Sequence, residues 1–163
     1  LVNHDYSTDG EGARLALERA GIAVLRNQHT AINFSARHAS LEVVGIDDGV
    51  TGHADPARAF RGVQAQHSRL VLTHVPSLAD VAATYGSSLI LAGHTHGGHV
   101  NIPRLTAGIA RRLGNRYLAG FFDVDGPLGK SVLYVNRGIG SSSVPIRAGA
   151  PSEVALLTLS AAP

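Results

Sequence analysis

His94, Thr95 and His96 follow the apolar run SLILAG and precede the Gly97–Gly98 pair. Side chains at i and i+2 on extended backbone face the same side, so both imidazoles can reach one ion. The flanking glycines permit a sharp turn and close backbone approach to an ion or a phosphate. His74 closes a second apolar run, RLVLTHVP (69–76), where Pro76 ends the strand and fixes the turn. The triplet Asn3, His4, Asp5 adds an amide oxygen that can coordinate a metal, another imidazole, and a carboxylate that can orient an imidazole ring. Each part has a plainer reading: a polar loop, a satisfied strand-end histidine, a simple Asn/Asp turn. The combination is more specific than any part. With no cysteine in the chain, a metal here would have nitrogen and oxygen ligands only.

Elements must carry these tips to one place. DGEGARLALERAG (9–21) predicts a short helix, with Asp9 as cap and Gly21 as stop. IAVLRN (22–27) and LEVVGIDD (41–48) are rich in β-branched residues and predict strands. DPARAFRGV (55–63) predicts a helix with Asp55 at its N-cap and Pro56 at its first position. SLADVAATYG (77–86) predicts a capped helix between the two apolar runs that end in histidines. Beyond Gly98, the segments HVNIP, VLYVNRG and EVALLTL (153–159) predict strands, with an irregular stretch over 106–126. Strands alternating with short helices imply an α/β fold. In such sheets the crevice beyond the carboxyl ends of the strands is where ligands bind. Of the nine histidines, His29, His38, His53 and His67 are scattered and are expected to be structural or at the surface, and His99 lies just past the clustered pair.

In their order and separation, NHD, THVP and GHTHGG resemble the last three motifs of the calcineurin-like metallophosphoesterases. The likeness is to bacterial members described as phosphodiesterases or UDP-diacylglucosamine pyrophosphatases. GIDDGVTGHAD and the tail YVNRGIGSSSVPIRAGAPSEVALLTL resemble the same branch, so the likeness covers essentially the whole chain. It implies a four-layer α/β/β/α sandwich with mixed sheets, and two divalent ions at the strand ends. Asn3, His74 and His94 would hold one ion and His96 the other. His4 would protonate the leaving oxygen, with Asp5 holding its ring. Two cations about 3.5–4 Å apart can activate a bridging hydroxide and clamp phosphoryl oxygens, and such ligands suit Mn, Fe or Zn. The implied reaction is hydrolysis of a phosphodiester, pyrophosphate or phosphomonoester in a small phosphorylated or lipid-linked nucleotide substrate. The family's upstream Asp-x-His and Gly-Asp motifs are not among these residues, and Val2 stands where the family carries glycine. The chain by itself is therefore expected to be a poor hydrolase. The alternative is a metal-poor binding or scaffold module that retains the fold.

Composition bounds the remaining possibilities. At 163 residues the chain suits a single domain, here one phosphoesterase domain over 1–163, incomplete at its N-terminus. A hydrophobic fraction of 44% with 16% charged residues argues against disorder. The net charge of +2 is small, and the basic residues are scattered apart from Arg111 and Arg112. With no basic stripe interleaved with aromatics, a nucleic-acid partner is not expected. No apolar run reaches the roughly 20 residues that span a bilayer. The expected location is cytoplasmic, with attachment at the membrane periphery as an option.

Overall fold

The computed structural model describes residues 1–35, 38–102, 104–141 and 146–160. Residues 142–145, inside the glycine-rich tail, lie outside the described residues. The elements in chain order are α1 (Asn3–Tyr6), α2 (Gly10–Arg19), β1 (Gln28–Phe34), β2 (Ala39–Gly45), α3 (Pro56–Ala59), β3 (Ser68–Leu72), α4 (Leu78–Thr84), β4 (Leu89–Ala92), α5 (Leu105–Arg112), β5 (Gly120–Gly126) and β6 (Gly129–Val135). They form an α/β fold around a mixed six-stranded sheet in the order β1-β2-β3-β4-β6-β5.

The four central strands β2, β3, β4 and β6 are mutually parallel, and the two edge strands run antiparallel to their neighbours. Val44, Val71, Ile90 and Leu133 line one face and are fully buried. Alanines at 79, 82 and 83 of α4 pack there, with Phe60 and Tyr117. Small residues let the helix sit close: a side-chain carbon at Gly126 of β5 would lie 2.3 Å from the Ala83 carbonyl oxygen. The opposite face is apolar but more open, with Ile32 and Leu72 exposed.

Several elements start or stop for reasons the predictions anticipated. Asp9 Oδ1 accepts the Gly12 N–H at 2.8 Å, capping α2, and Gly21 leaves the helix at φ +78°. Asp55 Oδ1 accepts the Arg58 N–H at 2.9 Å, although α3 is only one turn long.

Four predictions are corrected. Residues 22–27 form no strand, because a strand needs a hydrogen-bonded neighbour and the described residues supply none there. The strand comes later, as β1, after Asn27 breaks the chain at φ 52°. Residues 153–159 likewise stand in no ladder, and among its described residues HVNIP, whose proline lies outside them, contributes a single bridge, Val100 to Ala148. The stretch over 106–126 is not irregular: most of α5 and all of β5 fall in it. β5 forms because it closes a hairpin on β6 through the Gly126–Gly129 turn.

Candidate metal centre

Parallel strands point their carboxyl ends the same way, so the loops after β2, β3, β4 and β6 share one edge of the sheet. The ladder runs on past the strands: Ile46 N–H donates to Leu72 O, Thr73 N–H to Leu91 O, Gly93 N–H to His74 O, and Asn136 N–H to Ala92 O. This carries Asp47, Asp48, His74, His94 and Asn136 to the same rim. Asn3 reaches it from α1. Val2 enters that helix at φ −123°, extended backbone that valine adopts readily, so the turn places no demand for glycine there.

The rim brings Asn3, His74 and His94 together across 91 positions of sequence. His74 Nε2 stands 3.0 Å from Asn3 Oδ1 and 3.1 Å from His94 Nδ1. Ligands about 2.1 Å from a cation and at right angles to each other stand about 3.0 Å apart, so this spacing suits half of a metal shell. Among the described residues no group of three His, Cys, Asp or Glu is arranged to hold an ion. The amide oxygen of Asn3 is therefore what makes the set tridentate.

Electrostatics keep the two imidazoles in their ligating form. Burial, and then the neighbouring His94, push the His74 pKa down to about 4 against the opposing pull of Asp48. His94 is shifted down as well, chiefly by burial. Neutral imidazole binds a metal without first losing a proton. The loop that presents them is strained: His94, His96 and His99 all have left-handed backbone, at φ 67°, 51° and 55°. Such conformations cost energy and cluster at functional sites. Thr95 Oγ1 helps hold the loop by donating to Leu118 O at 2.5 Å.

The remaining predicted residues lie around this triplet. Among the described residues His96 makes no hydrogen bond to it; its Nδ1 accepts from the Arg147 guanidinium at 3.0 Å, and its ring lies 4.6 Å from that of His99. Arginine only donates, so the proton of the neutral His96 ring sits on Nε2. His4 is exposed on α1, next to Asn3. Asp5 Oδ2 accepts the Val2 N–H at 2.9 Å and closes the first turn of α1.

Two residues at the rim were not singled out by sequence. Asp48 is fully buried; its Oδ2 accepts from Thr51 N–H and Oγ1 at 2.7 and 2.6 Å, while its Oδ1 has no hydrogen-bond partner among the described residues. Burial alone would raise its pKa, but the Thr51 bonds, the Val50 backbone and the charge of His74 together outweigh that and lower it. An orphaned buried carboxylate oxygen is costly unless something cationic faces it. Arg147 is the other: it also donates to Arg137 O, Gly140 O and Ala150 O, tying the tail loop to His96. The signal for Asp48 was available, since GIDD ends an apolar run as THVP and GHTH do. Nothing local marks Arg147.

The chain is 30% identical over 158 residues to an uncharacterized metallophosphoesterase, YkuE, of Bacillus subtilis, spanning 96% of this chain and 54% of that protein. It is 35% identical over 160 residues to phosphodiesterase YaeI of Escherichia coli, spanning 96% of this chain and 56% of that protein. Over 123 residues it is 29% identical to the UDP-2,3-diacylglucosamine pyrophosphatase LpxG of Chlamydia muridarum, spanning 72% of this chain and 36% of that protein. No protein-family model and no solved structure matches it. An α/β sheet with imidazole and amide donors gathered at one strand-end rim accords with these relatives, which are named as metallophosphoesterase, phosphodiesterase and pyrophosphatase. The chain belongs to the calcineurin-like metallophosphoesterase superfamily, on the branch with these bacterial phosphodiesterase-like and pyrophosphatase-like proteins. It spans about half the length of the first two relatives.

Proposed function

We propose that these residues serve a metal-dependent phosphoesterase that hydrolyses a phosphodiester, pyrophosphate or phosphomonoester. The observation that carries this is the triplet Asn3, His74 and His94, whose donor atoms stand 3.0 and 3.1 Å apart at the strand-end rim. Asn3, His74 and His94 would hold one divalent ion, and His96 would belong to a second. When bound, such ions supply Lewis-acid stabilisation of the phosphoryl oxygens and an activated water. His4, exposed and next to Asn3 in α1, would give a proton to the leaving oxygen. Asp5 fixes the turn of α1 that presents both Asn3 and His4. Asp48 adds negative charge behind the two imidazoles, favouring a cation at the rim.

The substrate class follows the relatives: a small phosphorylated or lipid-linked nucleotide, handled in the cytoplasm or at its membrane face. Among the described residues no helix is long and apolar enough to cross a membrane. The rest of the second ion's shell would come from residues of the same phosphoesterase domain outside this sequence, a reading supported by the half-length match to the relatives. The alternative, a metal-poor binding module, is favoured by one observation: Arg147 holds His96 with its proton on Nε2.

The test pairs equilibrium dialysis against Mn²⁺ and elemental analysis with turnover of an aryl phosphodiester. The expected result is uptake of about one ion by the 163-residue chain, lost in His94→Ala, with fast turnover only in a version extended to the relatives' length. Absence of ion uptake in both versions would decide for the binding module.

A further inference from the structure

The stretch around α5 is unlike the rest of the chain. No Asp or Glu occurs between Asp80 and Asp123, while Arg104, Arg111, Arg112 and Arg116 do. Leu105, Ile109 and Leu113 recur at four-residue spacing, which places them along one helix face. They are 53%, 49% and 74% exposed, and Ile102 beside them is 52% exposed. Arg104, Arg111 and Arg112 are also exposed, and among the described residues no carboxylate pairs with them. The ion pair recorded in this stretch is Arg116 with Asp80, at 3.6 Å.

We propose that α5, with Ile102 and Leu113, docks the protein on an anionic phospholipid surface. An apolar helix face flanked by cations lies in the plane of the bilayer interface, with its apolar side chains among the upper acyl groups and its cations among the headgroups. Charge complementarity selects this occupant. A purely apolar groove on a partner would satisfy the leucines and leave the arginines uncompensated. The helix also borders the candidate metal centre. A cleft of about 460 Å³ is lined by Thr106, Ile109, Ala110 and Leu113 at one side and by His94 and Thr95 at the other. Docking through α5 therefore brings the headgroup layer close to His94. That consequence, a phosphoester presented from the bilayer surface, rests on the phosphoesterase reading; the docking does not.

The chain contains no tryptophan, so Leu113→Trp supplies a single fluorescent reporter at an exposed site. A parallel Ile32→Trp reporter, on the open face of the sheet, serves as the control. Each is titrated with vesicles of equal phosphatidylglycerol and phosphatidylcholine, and with pure phosphatidylcholine. The expected result is a blue shift and protection from aqueous quencher at position 113 alone, with anionic vesicles alone, reversed by high salt. Each arginine near an anionic surface contributes about fivefold in affinity, so Arg111→Ala with Arg112→Ala should weaken binding about 25-fold. Both positions are exposed, and far-ultraviolet circular dichroism checks that the fold is retained. Equal shifts with neutral vesicles, a shift at position 32 instead, or affinity unchanged by the double substitution would overturn the proposal. So would a shift at position 113 that follows protein concentration without vesicles, which would mark a contact between copies. Vesicle binding is read without turnover, so its failure and the failure of the hydrolase reading remain distinct.

Discussion

Acidification of the metal-free protein should expose the environment of His74. Its pKa falls from an ordinary 6.5 to about 4 in the fold, chiefly through burial. At about 1.36 kcal/mol per pKa unit, the full gap would be worth about 3.4 kcal/mol. The ring is only partly buried, so solvent screening leaves roughly 1–3 kcal/mol. The sign follows from proton counting. Between pH 6.5 and about 4 the unfolded chain binds a proton at this position and the folded chain does not, so stability falls as the pH falls. Above that window His74 contributes no pH dependence, and below it the loss is complete. The assay is urea unfolding in excess chelator from pH 8 to pH 4, for the wild type and for His74→Asn, whose neutral amide cannot titrate. His94 shifts in the same direction, and the comparison isolates His74 from it. A difference between the two proteins that stays flat across the window would refute the reasoning.

In a version extended to the relatives' length, His94→Ala should strip metal, whereas His4→Ala should keep it and lose roughly 10²–10⁴-fold in turnover; elemental analysis paired with kinetics checks both, and the reverse pattern would reverse the roles. Asp48→Asn removes the charge behind the imidazoles and sets an amide against the Thr51 donors, so it should weaken Mn²⁺ binding and cost roughly 1–3 kcal/mol of stability, read by calorimetry of ion binding and by urea unfolding. Arg69 donates to four carbonyls, those of Tyr85, Gly86, Gln64 and Ala65, so Arg69→Met should cost roughly 3 kcal/mol or more in urea unfolding, with little rescue from Arg69→Lys, which lacks the planar fork. Gly149→Ala should destabilise by roughly 1–3 kcal/mol, because φ is +68° and the new carbon would lie 2.2 Å from Asn101 O; an unchanged melting temperature would count against the tight crossing there.

Most strand ends at the rim were legible because a buried parallel strand is a short apolar run, and the residue that leaves it can be polar only where water or a ligand waits. That pattern marks 69–76, 88–96 and 41–48, and all three converge. Edge strands lack this signature. β1, QHTAINF, is mostly exposed and mixes polar with apolar residues, so its identity rests on pairing with β2 rather than on its own composition. The converse error fell at 22–27, where β-branched residues suggest a strand but no neighbour among the described residues pairs with them. Two of the histidines expected to be structural are so in a specific way: His29 and His67 both contact the buried carboxylate of Glu42 at 3.0 Å.

By itself the sequence determined the donor types, the absence of thiolate, the alternation of strand and helix, and the three polar tips, because these depend on local composition and periodicity. Only the tertiary structure decided which donors meet. Asp47 and Asp48 are neighbours of identical chemistry, yet Asp47 accepts from Tyr6 Oη at 2.5 Å and Arg26 Nε at 3.1 Å, while Asp48 lies behind His74 and His94. Likewise Arg147 reaches His96 across 51 positions. Such partners are set by the parallel order of β2, β3, β4 and β6 and by the paths of the loops between them. Contacts of long sequence separation leave no periodic trace in the chain, since what holds them is the packing of the whole sheet.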